Sequence, residues 1–91
     1  MKHSIIVTVQ FGGRAADMEL PCRMPVGLLS GRLLSALQAM EPARFSHMHG
    51  LWLVHNGQYL PDEAACLLDY GICDGDFLTV TEKKGSFRER G

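Results

Sequence analysis

Apolar and polar residues alternate from Ser4 to Phe11, with Ile5, Val7 and Val9 on one side and Ile6, Thr8 and Gln10 on the other. A two-residue period built from β-branched side chains predicts a strand with an apolar core face and a mixed outer face. Gly12-Gly13 follows and supplies the positive φ angles of a hairpin turn, after which Asp17 to Leu20 resumes the alternation with Met18 and Leu20 on one side. Pro21 and Pro25 then bracket a connection that must leave the sheet, because proline has no amide to give to a central ladder.

The period changes at Val26. Val26, Leu29, Leu33, Ala36, Leu37 and Met40 recur at three and four residues, the stripe of an amphipathic helix whose apolar side faces a core. Pro25 suits the first helical turn, but no Ser, Thr, Asp or Asn stands immediately before it as a cap, so the start can shift by a residue or two. Gly27 and Gly31 each cost about 1 kcal/mol relative to alanine inside a helix, so packing must hold this segment, and the glycines suit a close approach to the sheet. Their spacing matches the small-xxx-small pattern of membrane helices, yet Arg32 and the short apolar span favour packing. Leu28 and Leu34 fall beside or opposite the stripe and leave more apolar surface than one sheet face needs.

Glu41 to Gly50, with Pro42, His47 and His49, has no period and is expected to be a loop. From Leu51 to Thr81 the chain reads as a strand, a tight Asn56-Gly57 turn, a brief second strand, a short helical segment around Ala64 to Asp69 entered from the polar turn Pro61-Asp62-Glu63, and a closing strand Phe77 to Glu82. Leu51, Leu53, Tyr59, Leu60, Leu67, Tyr70, Ile72, Leu78 and Val80 are all expected to reach the single helix if the sheet folds over it. This order defines an α+β β-grasp: a mixed four- to five-stranded sheet packed on one helix, presenting a surface instead of enclosing a pocket. Residues 1–83 are expected to form the domain and 84–91 a charged flexible tail, disordered in isolation.

Composition narrows the function. At 91 residues there is one core, and 46% hydrophobic with 21% charged residues is ordinary for a folded protein. Nine basic and ten acidic residues give a net charge of −1, which supplies no field to attract nucleic acid or anionic lipid. No apolar run approaches the roughly 20 residues of a membrane span, and Lys2 to Phe11 reads as a strand instead of a signal peptide, so a cytoplasmic protein with no direct membrane insertion is expected. Cys22, Cys66 and Cys73 are odd in number and lack CxxC spacing, which predicts reduced thiols.

Candidate chemistry is sparse. His47, His49 and His55 with Cys66 or Cys73 are metal-ligand types, but their spacing shows no convergence; loop histidines and packed thiols account for them, and no metal or cofactor is expected. Asp74 and Asp76 lack the remaining positions of a calcium loop and read as turn residues around a left-handed Gly75. Gly12-Gly13 lacks the following helix and lysine of a phosphate loop. The chain is therefore expected not to be an enzyme.

The run from Leu67 to Lys83 is similar in spacing to the part of ubiquitin where Leu-x-Asp-Tyr-x-Ile precedes the final strand, matched here by Leu67, Asp69, Tyr70 and Ile72. The match extends to Gly57, Leu60 and the helix residues Val26, Leu29 and Leu33. Within ubiquitin-like proteins, Glu19-Leu20-Pro21, Pro25 to Leu29 and Tyr70-Gly71-Ile72-x-Asp74-Gly75-Asp76 resemble the YukD/EsaB family associated with bacterial type VII secretion, related to the ubiquitin-like domain of EccD. The resemblance covers about residues 4 to 82. It implies a ubiquitin-like fold and a non-catalytic accessory or regulatory role exerted by protein–protein binding, with secretion-system components as partners. The alternative is a protein modifier or sulfur carrier acting through its C-terminus. Those relatives need a flexible Gly-Gly ending, whereas this chain ends Arg88-Glu89-Arg90-Gly91, which argues against that chemistry. Met1 and the charged ending favour a free-standing protein over a fragment of a membrane component.

Ubiquitin-like folds commonly receive partners on the sheet face away from the helix, which by alternation carries Ile6, Trp52, Val54, Thr79 and Thr81 here. Trp52 either anchors a partner or covers the edge of the core, since strand parity can slip by one. Leu28 and Leu34, on the outer helix face, would form a second stripe for docking or for a homo-oligomer.

Overall fold

The computed structural model describes residues 3–83; the tail expected over 84–91, including Gly91, lies outside the described residues. Strand β1 (Ser4–Phe11) turns through Gly12 and Gly13, both at positive φ, into the antiparallel β2 (Arg14–Pro21). Helix α1 (Val26–Met40) crosses the sheet, and a one-turn helix α2 (Pro42–Phe45) leads to β3 (Leu51–His55), β4 (Gln58–Tyr59), a 3₁₀ turn (Leu67–Tyr70) and β5 (Phe77–Glu82). The strands lie in the order β2-β1-β5-β3-β4, with β1 and β5 parallel at the centre and the other pairs antiparallel. This is the mixed sheet of a β-grasp.

Parity fixes the core. Ile5, Val7 and Val9 of β1, Leu51 and Leu53 of β3, and Leu78 and Val80 of β5 are buried with Val26, Leu29, Leu33 and Leu37 of α1. At about 25 cal/mol per Å² of apolar surface removed from water, this layer between helix and sheet is the main source of stability. Its loop end is closed by Leu60, Leu67 and Ile72.

The uncapped start of α1 has a specific remedy. Pro25 makes no side-chain cap bond; instead the amides of Val26 and Gly27 donate to the carbonyls of Ala65 and Glu63 at 2.7 and 3.0 Å. Two orphan donors of the first turn are thereby satisfied by the 63–65 loop. The close approach that Gly27 permits is to that loop and not to the sheet, since a Cβ there would stand 3.1 Å from Cβ of Glu63, whereas one on Gly31 would meet nothing within 4 Å.

Four further expectations are corrected. Leu34 is not on an outer helix face but buried, at 7% exposure. It lies ~60° around the helix from Leu37, on the flank where α2 follows. Met40, placed in the core stripe by its period, is half exposed as the last residue of α1. Tyr59, expected in the core, is 58% exposed, since it pairs with Val54 and must share its face. The stretch expected to be a loop contains α2, whose Phe45 is buried with its ring edge-on to Phe11, centroids 5.4 Å apart.

Candidate protein-binding surface

The face of the sheet away from α1 is assembled by the same parity that builds the core. Directly opposed residues place Gln10, Thr79, Val54 and Tyr59 in one row across β1, β5, β3 and β4, and Trp52 opposite Thr81 in the next. Thr79 Oγ1 lies 3.3 Å from Gln10 Oε1, which pins the middle of the row. Val54 and Thr79 are half-buried in it, and Thr81 is exposed.

Trp52 is 36% exposed and stands edge-on to Tyr59, with ring centroids 5.9 Å apart and planes at 74°. This is the edge-to-face geometry that aromatic quadrupoles prefer. Lys83 Nζ lies 4.6 Å from the Trp52 ring centroid and 3.5 Å from Glu63 Oε2, so the cation both covers part of the indole and ties it to the 63–65 loop. Trp52, Tyr59 and Pro61 line a depression beside this pair. The indole is thus flanked by the Tyr59 ring and the Lys83 ammonium.

Of the residues singled out by sequence, Trp52, Val54, Thr79 and Thr81 come together on β3 and β5. Ile6 shares the face but lies on β1, two strands from Trp52, and is exposed. Leu28 is exposed on the far side of α1, and with Leu34 buried no two-leucine stripe exists there. Tyr59, Phe77 and Lys83 were missed. A two-residue Asn56-Gly57 turn makes Val54 face Tyr59, and alternation with Leu78 and Val80 turns Phe77 outward, so both signals were present in the sequence.

Among the described residues, no group of three or more His, Cys, Asp or Glu side chains is placed to hold a metal. His55 Nε2 lies 3.6 Å from Asp76 Oδ2, which also accepts the Cys73 amide, while Asp74 Oδ1 accepts the Ile6 amide. Both aspartates thus shape the turn into β5. At the 3₁₀ turn, Asp69 Oδ2 accepts the Cys66 backbone N–H at 3.0 Å and then the Cys66 thiol at 3.3 Å, which holds its carboxyl below the ordinary aspartate range. A carboxyl that binds its proton more weakly when folded stabilises the fold fully above the ordinary value of about 3.9, and that contribution is lost as pH falls through the lower folded value. An acid titration followed by carboxyl carbon shifts is expected to give Asp69 a midpoint below that value; a midpoint at or above it rejects the bond as a determinant of the turn.

Among the described residues no helix is long and apolar enough to cross a membrane. The model of the family described as "WXG100 protein secretion system (Wss), protein YukD" matches residues 4–80. The chain belongs to the YukD family. No curated protein sequence matches it. Among solved structures, this YukD-family chain is similar to the ubiquitin-like domain of the Mycobacterium tuberculosis type VII secretion system protein ECCD1, with TM-score 0.68 and 22% identity over 87% of this chain and 98% of that one. The EccD5 ubiquitin-like domain from Mycobacterium xenopi superposes with TM-score 0.76 at 15% identity over 93% and 100%. A chain of the MycP5-free ESX-5 inner membrane complex matches with TM-score 0.76 at 18% identity over 99% of this chain; the YukD-family chain spans 23% of that chain's length. These likenesses establish the ubiquitin-like fold, and the family match associates the chain with WXG100 protein secretion.

Proposed function

We propose that this protein is a non-catalytic, ubiquitin-like accessory or regulatory component of a bacterial type VII secretion system, working in the cytoplasm by binding other secretion components through the sheet face around Trp52. The observation that carries the reading is the Trp52–Tyr59 pair: a large, partly exposed aromatic held in one orientation on a fold of the YukD family. A preordered tryptophan loses little conformational freedom on contact, and tryptophan is enriched among residues that dominate binding energy. Val54, Thr79 and Thr81 extend the same surface, with Ile6 at its distant margin.

Trp52→Ala tests this. Because Trp52 lies outside the core, the variant is expected to keep the wild-type amide spectrum away from β3 and β4. Its affinity for secretion components co-expressed with it is expected to fall by at least about 2 kcal/mol, roughly 30-fold. Equal capture by the folded variant would reject the surface.

A further inference from the structure

The opposite edge of the sheet carries a different kind of recognition. β2 is its outermost strand. In an antiparallel pair, successive residues alternate between bonding to the neighbouring strand and aiming their backbone groups the other way. On β1 the amides of Ile6 and Thr8 point away from β2: Ile6 donates to Asp74 Oδ1 at 2.8 Å, Thr8 donates to the Asp76 carbonyl at 2.9 Å, and the Ile6 carbonyl accepts from Gly75. Their register partners on β2 are Glu19 and Asp17. These two residues, and Ala15 by the same alternation, therefore turn their own N–H and C=O groups off the edge of the sheet, and all three are exposed. Pro21 obeys the same phase, because an amide at its position would also point outward, and the β1 ladder loses nothing by its absence.

A row of outward N–H and C=O groups is a template for one more strand. The side chains decide which strand fits. Asp17 and Glu19 lie on the outer face, their carboxylates fixed by β1 hydroxyls: Thr8 Oγ1 donates to Asp17 Oδ1 at 2.7 Å, and Ser4 Oγ donates to Glu19 Oε2. On the other face Ala16 and Met18 are half-buried against the core. A strand laid along β2 sets its residues directly opposite these, about 5.5 Å away between Cα atoms in the hydrogen-bonded pairs. It would meet two carboxylates two positions apart on one face and an apolar surface between them on the other.

We propose that the β2 edge takes an extended segment of another protein that carries lysine or arginine at positions i and i+2 with an apolar residue between them. A second copy of this chain is the wrong occupant. The antiparallel self-pairings that align the most residues in the allowed phase set Asp17 against either the Asp17 or the Glu19 of a second copy, and like charges directly opposite destabilise a sheet pair. The acidic row thus excludes a second copy and selects a basic strand.

The test uses an end-capped synthetic nonapeptide with two arginines separated by one valine, titrated into the full chain labelled with ¹⁵N. The amides of Ala15, Asp17 and Glu19 are expected to shift and to exchange more slowly with solvent. Reversing both charges with Asp17→Lys and Glu19→Lys is expected to weaken binding roughly tenfold and to transfer the preference to the peptide with glutamates in place of the arginines. Ala15→Pro removes one outward donor while sparing the β1 ladder, and it is expected to lower affinity even if the charge-reversed variant fails to fold. Shifts that map away from β2, or equal affinity for a peptide of the same composition with adjacent arginines, would overturn the proposal. So would β2 amide protection that rises with protein concentration alone, which would make a second copy the occupant.

Discussion

Phe45→Ala is expected to lower the free energy of unfolding by about 3–5 kcal/mol. The ring is 2% exposed and packs edge-on against Phe11 of β1. It is delivered there by α2, whose start is set by Pro42 at its first position and whose end is fastened by Gln38 of α1, with Nε2 donating to the carbonyls of Phe45 and Met48 at 3.0 and 3.3 Å. Removing the ring opens a cavity between the end of the helix and the closing turn of the first hairpin, and it costs the edge-to-face contact as well. Since a domain of this size is stable by about 5–15 kcal/mol, such a loss reaches a large fraction of the total. Urea denaturation at fixed temperature reads it as a lower midpoint with an unchanged slope. A loss under about 1 kcal/mol would show that the α2 segment is not fastened to the core.

The second large effect separates two leucines on one helix. Leu34→Ala is expected to cost about 2–5 kcal/mol, as for a leucine truncated inside a core. Leu28→Ala is expected to stay within about 0.5 kcal/mol, as for an exposed side chain. Leu34 is buried and Leu28 is 65% exposed, although their positions in the sequence look alike. Gln38, one turn beyond Leu34 on the same flank, bonds to the carbonyls of Phe45 and Met48, whereas Leu28 lies on the far side of the helix from the core stripe. Matched denaturation curves for the two variants decide the matter: equal losses would mean that Leu34 is not enclosed.

These two residues also mark where the sequence stopped being readable. The hairpins, the helix and the last strand repeat apolar residues at periods of two or 3.6, and each such repeat states which side faces the core. Ile5, Leu29 and Leu78 were legible for that reason. Phe45 is a single apolar residue in a non-periodic run, so no period announces it; its burial is set by a tertiary contact with Phe11, which lies 34 positions earlier. Leu34 is obscure for a related reason, because it lies beside the periodic stripe and the period alone does not announce its burial. Met40 errs in the opposite direction: its period is right, but it is the last residue of the helix and half exposed. The outer face fared differently. Trp52, Val54, Thr79 and Thr81 follow from alternation, and Tyr59 and Phe77 were equally accessible once the two-residue turn and the core parity of β5 were used. Lys83 over the indole had no such signal, since its position depends on where β5 ends.

The parallel contact between β1 and β5, Thr8 beside Phe77, joins the first and last strands of the sheet. Pairings so far apart in the sequence raise the contact order, and folds built on them form more slowly than those built on local contacts. Until that contact forms, the amides of Ile6 and Thr8 lack the partners that Asp74 and Asp76 give them, and an unpaired strand of this kind is open to pairing with other chains.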